Sequence, residues 1–284
     1  MNIFQTLGFY LGFPFVQYLV VVGIFTALCA SLIGVPLVLK RYSLVGMGLS
    51  NVAFVGYAFA ILVIGLNNEL FITMPLTVLT SIILLGPLGR NKLKGDASMA
   101  MLAIGALAVG FFIVNVFSYR GEVDINAALF GATNILTLRL ADVWISLAVT
   151  IVTLLAFVLL HNRLFAITFD SNFMNATGSR PWIYEYLFAA LVGIIVAISM
   201  QLVGALLTAA LIIFPAISAL KIFKTYKLVM ISAAIIGLLC ALFGIFTAII
   251  FATPVGATII VFNIAVYAIL YLSSFIYKKT KRKN

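Results

Sequence analysis

Met200-Gln201-Leu202-Val203-Gly204-Ala205-Leu206-Leu207-Thr208-Ala209-Ala210-Leu211-Ile212-Ile213-Phe214-Pro215-Ala216-Ile217-Ser218-Ala219 is apolar for almost its whole length, yet it holds a glycine, two hydroxyl residues and an interior proline. In water Pro215 would break a helix. In a bilayer it is tolerated where neighbouring helices and hydroxyls satisfy the carbonyl it frees. Small residues at Gly204, Ala205, Thr208, Ala209 and Ala216 let other helices approach closely. The stretch reads as a packed, bent helix inside a bundle, since a single lipid-facing anchor needs no kink. On local pattern alone a generic polytopic helix reads the same, and the rest of the chain has to decide.

Composition decides the class. The 284 residues are 65% hydrophobic and 8% charged, with a mean hydropathy of +1.27. Water-facing surface needs far more charge, so the chain is an all-α polytopic membrane protein. A net charge of +10 would suit nucleic acid. Here the basic residues fall in short clusters between apolar runs, as topology determinants do, and no soluble domain carries them. Cys29 and Cys240 lie mid-span without a CxxC partner and read as small hydrophobes. Met1 to Gly12 lacks a basic start and a small-residue cleavage site, so it is not read as a removable signal. Phe4, Leu7, Tyr10 and Leu11 share one helical face, which suits an interfacial segment over residues 1–14.

Windows of about 20 apolar residues mark bilayer spans. Nine are expected, at 15–39, 44–66, 70–89, 97–118, 141–160, 182–200, 202–220, 228–251 and 256–276, or eight if 182–220 is one bent unit. Starting outside, this pattern puts 15 of the 17 basic residues in the cytoplasm and leaves only Arg120 and Arg139 outside. The positive-inside bias therefore predicts an outer N-terminus and a cytoplasmic C-terminus. The single membrane domain covers 1–284, with a basic cytoplasmic tail at 277–284.

Two connections are more than turns. Tyr119 to Leu140 contains the apolar piece Ala127-Ala128-Leu129-Phe130-Gly131, which suits a short re-entrant or surface helix with Asp124 in its N-cap region. On the cytoplasmic side, the loop 164–181 contains a short helix that Asp170 or Ser171 caps and Gly178 ends. Its Phe173, Met174 and Ala176 are expected to face the cytoplasm and to cover themselves with a partner protein or with the lipid surface.

No Gly-rich phosphate loop ending in Lys-Ser/Thr, no nucleophile elbow and no HExxH occurs, so neither ATP hydrolysis nor membrane-embedded catalysis is expected of this chain. His161 sits alone at a span end. Spans almost free of charge argue against a proton relay. Ser50, Asn51, Asn115, Gln201, Thr208 and Asn263 read first as interhelical hydrogen-bond partners, a minority of them as route-lining.

Five stretches together resemble the permease subunits of zinc- and manganese-type ABC importers. They are Arg41-Tyr42-Ser43-Leu44-Val45-Gly46-Met47-Gly48-Leu49-Ser50-Asn51 with Gly56 following, and Asp124 through Leu129-Phe130-Gly131 to Asn134-Ile135-Leu136. Phe169-Asp170 with Gly178, Val203-Gly204-Ala205-Leu206-Leu207 through Pro215-Ala216, and Thr253-Pro254-Val255-Gly256-Ala257-Thr258-Ile259 complete the set. The resemblance implies a permease dimer with a path along its axis and an extracellular substrate-binding protein or lipoprotein that delivers cargo. It also implies a cytoplasmic ATP-binding subunit, carrying the ATP and magnesium, docked on a coupling helix of Phe169, Asp170, Phe173, Ala176 and Gly178. Met47, Ser50 and Asn51 would face the path, while Gly204, Thr208, Pro215, Pro254 and Gly256 would shape and pack the helices.

One departure bears on cargo. Where this family carries an acid and a histidine four residues apart on one helical face, this chain has Met47 and Asn51. A thioether and a carboxamide suit zinc or manganese poorly, and no metal-ligand set can be assembled from the sequence. The leading expectation is an importer of Zn, Mn or Fe. The alternatives are the same architecture moving an organic nutrient or metal chelate, and a stand-alone carrier or channel.

Overall fold

The computed structural model describes residues 10, 12–64, 69–86, 96–117, 129–131, 138–169, 171–176 and 178–281, and every regular element among them is helical. In chain order these are α1 (Pro14–Leu39), α2 (Ser43–Ile64), α3 (Leu70–Leu85), α4 (Asp96–Phe117), α5 (Leu140–Leu159), α6 (His161–Phe169), α7 (Ser171–Ala176), α8 (Pro181–Val203), α9 (Ala205–Ile222), α10 (Tyr226–Phe251) and α11 (Val255–Lys281). Within the described residues, each of the nine expected apolar segments is helical. Eight are 18 residues or longer and apolar enough to span, whereas α3 has 16 residues. That is about 24 Å at 1.5 Å per residue, short of a ~30 Å hydrocarbon core. α3 is thus the short one of the nine, and 182–220 is not one fused unit, since α8 and α9 are separate helices.

The expected bend is also moved. α9 runs unbroken through Pro215, and the chain turns its corner at Gly204, whose φ of 96° and ψ of 156° end α8 and begin α9 at one residue. Of the other anticipated features, most of the 1–14 segment, residues 282–284 of the tail, Asp124 and most of the 119–140 connection lie outside the described residues. So do Asp170 and Thr177.

Lipid is as apolar as leucine, so close backbone approach has to replace the hydrophobic drive that packs soluble helices. Glycines supply it. Gly193 of α8 packs on Val78 and Ser81 of α3, Gly237 of α10 on Ser31 of α1, and Gly244 of α10 on Ile259 of α11. These contacts set α3 against α8 in opposite directions, with Gly86 beside Tyr186 at one end and Glu69 bonded to Gln201 at the other. Hydroxyls add specificity. Ser81 donates to the Ala189 carbonyl at 2.6 Å, and Cys29 Sγ donates to Thr150 Oγ1 at 3.3 Å. Both cysteines are buried and free, in keeping with their reading as small hydrophobes. The outer faces of α4, α5 and α11 remain apolar and open, with Met101, Val158 and Val261 all exposed.

Candidate functional site: a glycine corner and a short helix pair

The second-helix motif is wedged between two neighbours. Gly46 faces Ile212 of α9, and Gly48 faces Leu102 of α4. Asn51 is buried and donates Nδ2 to the Ala103 carbonyl of α4 at 2.8 Å. Ser50 is buried and donates its hydroxyl to the Met47 carbonyl at 3.0 Å, while Met47 itself is half-buried. Asn51 thus spends a donor on an interhelical bond, as carboxamides between spans can, whereas Asn115 and Asn263 donate to carbonyls of their own helices. Among the described residues no group of three or more His, Cys, Asp or Glu stands close enough to hold a metal.

Three of the remaining motif stretches converge at the opposite end of the bundle. A Cβ on Gly204 would lie 2.6 Å from the Leu129 carbonyl oxygen and 2.7 Å from the Gly131 nitrogen, and one on Gly256 would strike the Phe130 carbonyl. Residues 129–131 therefore lie backbone-to-backbone in the corner between α8, α9 and the start of α11. Gly131 itself has a φ of 72°. Thr208 holds the corner by donating its hydroxyl to the Gly204 carbonyl at 2.8 Å. Pro254 sits just ahead of α11 and accepts from the Thr258 hydroxyl at 3.0 Å.

Beside this corner Gln201 donates Nε2 to Glu69 Oε2 at 2.7 Å, and Glu69 is 8% exposed. Burial pushes the Glu69 carboxyl above its ordinary range; the Gln201 bond opposes this and the Asp142 charge adds to it. A carboxyl that holds its proton more tightly when folded favours the fold while protonated. That contribution is lost as pH rises from the unfolded pKa of about 4.3 through the folded value. Glu69→Gln, which can still accept from Gln201, is therefore expected to gain thermal stability over the parent at pH 8 and to lose that gain at pH 4. A gap of equal size at both pH values, measured by thermal melting in detergent, would contradict this.

At the other end α6 continues from α5 after a break at Leu160, and α7 is a separate helix of six residues. Gly178, with a φ of 76°, stops it as the sequence suggests, its N–H on the Asn175 carbonyl at 3.1 Å. Phe169 and Ala176 are exposed, but Met174 is buried at 2%. Met174 therefore packs into the protein and does not face outward as expected. The Phe173 side chain lies outside the described residues. A cleft of about 290 Å³ opens beside α6, lined by Lys40, Arg41, Tyr42, Thr168, Phe169 and Glu185. Glu185 is buried at 3%. In the sequence one acid near the start of a span resembles an edge residue, and its place beside the Lys40–Arg41 turn is set only by the tertiary packing.

Among the described residues, nine apolar helices closed by a glycine corner, with two short helices at the opposite end of the bundle, define a multi-pass membrane protein. Residues 12–278 match the ABC 3 transport family, and the chain belongs to it. It is 28% identical over 264 residues to the manganese import system permease protein ScaB of Streptococcus gordonii, covering 93% of this chain and 91% of that one. It is 26% identical over 266 residues to the manganese transport system membrane protein MntC of Halalkalibacterium halodurans, covering 93% and 89%. The structure of PsaBC from Streptococcus pneumoniae in complex with Fab superposes with a TM-score of 0.80 at 24% identity, covering 94% of both chains. At that identity the likeness speaks for the fold alone.

Proposed function

We propose that this chain is the membrane-spanning permease subunit of an ATP-driven importer of a divalent metal, manganese before zinc or iron. The observation that carries the reading is the alignment, over nine-tenths of the chain, with relatives named for manganese transport. In this reading two copies form the path between them by alternating access in the cell membrane, and a substrate-binding protein delivers cargo outside. A separate cytoplasmic subunit binds and hydrolyses ATP against α6 and α7. The charges support the direction: Lys40, Arg41, Arg163, Arg180, Lys221, Lys224 and Lys227 ring the α6–α7 end, which is then cytoplasmic, and Glu69 marks the outer end.

A second reading is favoured by Asn51, whose amide is committed to the Ala103 carbonyl next to an uncharged Met47. A neutral gate of this kind suits cargo with its charge already shielded, a metal chelate or small organic nutrient. Uptake in cells that express the chain with its ATPase and binding protein separates the two. Accumulation of manganese, zinc or iron by elemental analysis, abolished by a dead ATPase, is the expected result. A complex whose ATPase responds to its binding protein, yet accumulates no metal, gives the second reading.

A further inference from the structure

We propose that α6 and the first turn of α10 form one rigid lever, clamped by a ladder of aromatic rings on Tyr226, and that this lever carries movement of the α6–α7 pair into the bundle. The inference rests on the reading that an ATPase docks on α6–α7.

His161, Phe165 and Phe169 recur every four residues and so line one face of α6. All three pack on a single ring. Tyr226 lies 5.4 Å from His161, 5.4 Å from Phe165 and 6.2 Å from Phe169 between centroids, and Phe165 and Phe169 are 4.8 Å apart. The Phe165 and Phe169 rings meet Tyr226 edge to face at 66° and 78°, the arrangement that aromatic quadrupoles favour. Tyr226 is the first residue of α10 and is 7% exposed. Its buried hydroxyl lies beside that of Thr168, which donates to the Leu164 carbonyl at 2.6 Å, so ring contacts and a polar contact to α6 fall on the same residue and Tyr226→Phe separates them.

α6 has a second attachment, to α8. Arg163 donates to Ser179 Oγ at 3.1 Å and lies over the Tyr184 ring at 5.6 Å. Leu164 and Ile167, both buried, also seat α6 on the bundle, whereas Arg163 is exposed and solvent screens its contacts. Beyond Tyr226, α10 packs through Gly237 on α1 and through Gly244 on Ile259 of α11. α11 begins at the glycine corner, where Gly256 rests on the Phe130 carbonyl. The lever thus joins the docking end to the closure at the far end.

The test measures metal taken up per ATP hydrolysed by the whole complex, permease with its ATPase and binding protein, in proteoliposomes supplied with manganese. Tyr226→Phe keeps the parent ratio. Tyr226→Ala lowers it roughly five-fold or more while ATP hydrolysis continues, a loss in the range of ordinary coupling energies. Arg163→Ala changes it little. Because Tyr226→Ala can also loosen the fold, a disulfide between Phe165→Cys and Tyr226→Cys serves as the second variant: it replaces the ladder by a covalent joint and retains the parent ratio when oxidised. An unchanged ratio in Tyr226→Ala, or arrest of uptake by the disulfide, overturns the lever. Failure of the unmodified permease to bind any ATPase instead overturns the docking reading, and the lever with it.

Discussion

Gly204→Ala is expected to abolish most of the folded protein. The φ of 96° and ψ of 156° at this corner lie in a region open essentially to glycine, and another residue held there costs about 1–3 kcal/mol. The added Cβ would also stand 2.6 Å from the Leu129 carbonyl oxygen and 2.7 Å from the Gly131 nitrogen. Both are backbone atoms, which cannot rotate away as a side-chain tip can. Overpacking of this kind adds about 1–3 kcal/mol, so the two effects together reach a large part of a typical folding free energy of roughly 5–15 kcal/mol. Size-exclusion chromatography and thermal melting in detergent provide the measurement. Gly105→Ala is the control, because a Cβ there meets nothing within 4 Å. A Gly204→Ala protein that melts with the parent would show that the corner is not held as described.

Gly34→Ala is expected to be nearly as damaging, for a purely steric reason. Gly34 is in ordinary helix within α1, and its added Cβ would collide with the backbone carbonyl of Ile212 where α1 crosses α9. Shortening the Ile212 side chain leaves that carbonyl in place, so Ile212→Ala should not rescue the variant. Gly23→Ala behaves differently, because its Cβ would meet only the side chain of Ile245, nearest at the terminal methyl, 2.7 Å away. Ile245→Val should relieve it. A double-mutant cycle for each pair is therefore expected to show coupling at 23/245 and none at 34/212. Rescue of Gly34→Ala by Ile212→Ala would refute the backbone contact.

The glycine motifs were visible as sequence and gained their reason only from the fold. Gly131, Gly204 and Gly256 come from three separated stretches, and nothing in the spacing of any one of them says that they touch. Gly178 could be read locally, since a helix-ending glycine acts on its own last turn. The spacing of His161, Phe165 and Phe169 was equally legible as one helical face, but the ring they hold lies far along the chain at Tyr226. Whether Met174 faces inward or outward is not legible locally, because a short helix at a membrane edge has two faces to offer and the sequence does not choose between them.

By itself, the sequence determined the helical class, the nine apolar segments in their order and the asymmetry of charge between their connections. It could do so because a long apolar segment in lipid has to satisfy its own backbone, which leaves a helix as the solution. Only the tertiary structure decided that the corner falls at Gly204 while Pro215 stays within a continuous helix, that Asn51 bonds the Ala103 carbonyl, and that three aromatic residues close on Tyr226. The reason is that inward and outward faces of these helices are almost equally apolar. Hydrophobicity marks where a span lies, and only small residues, hydroxyls and rings meeting across the bundle fix which way it faces.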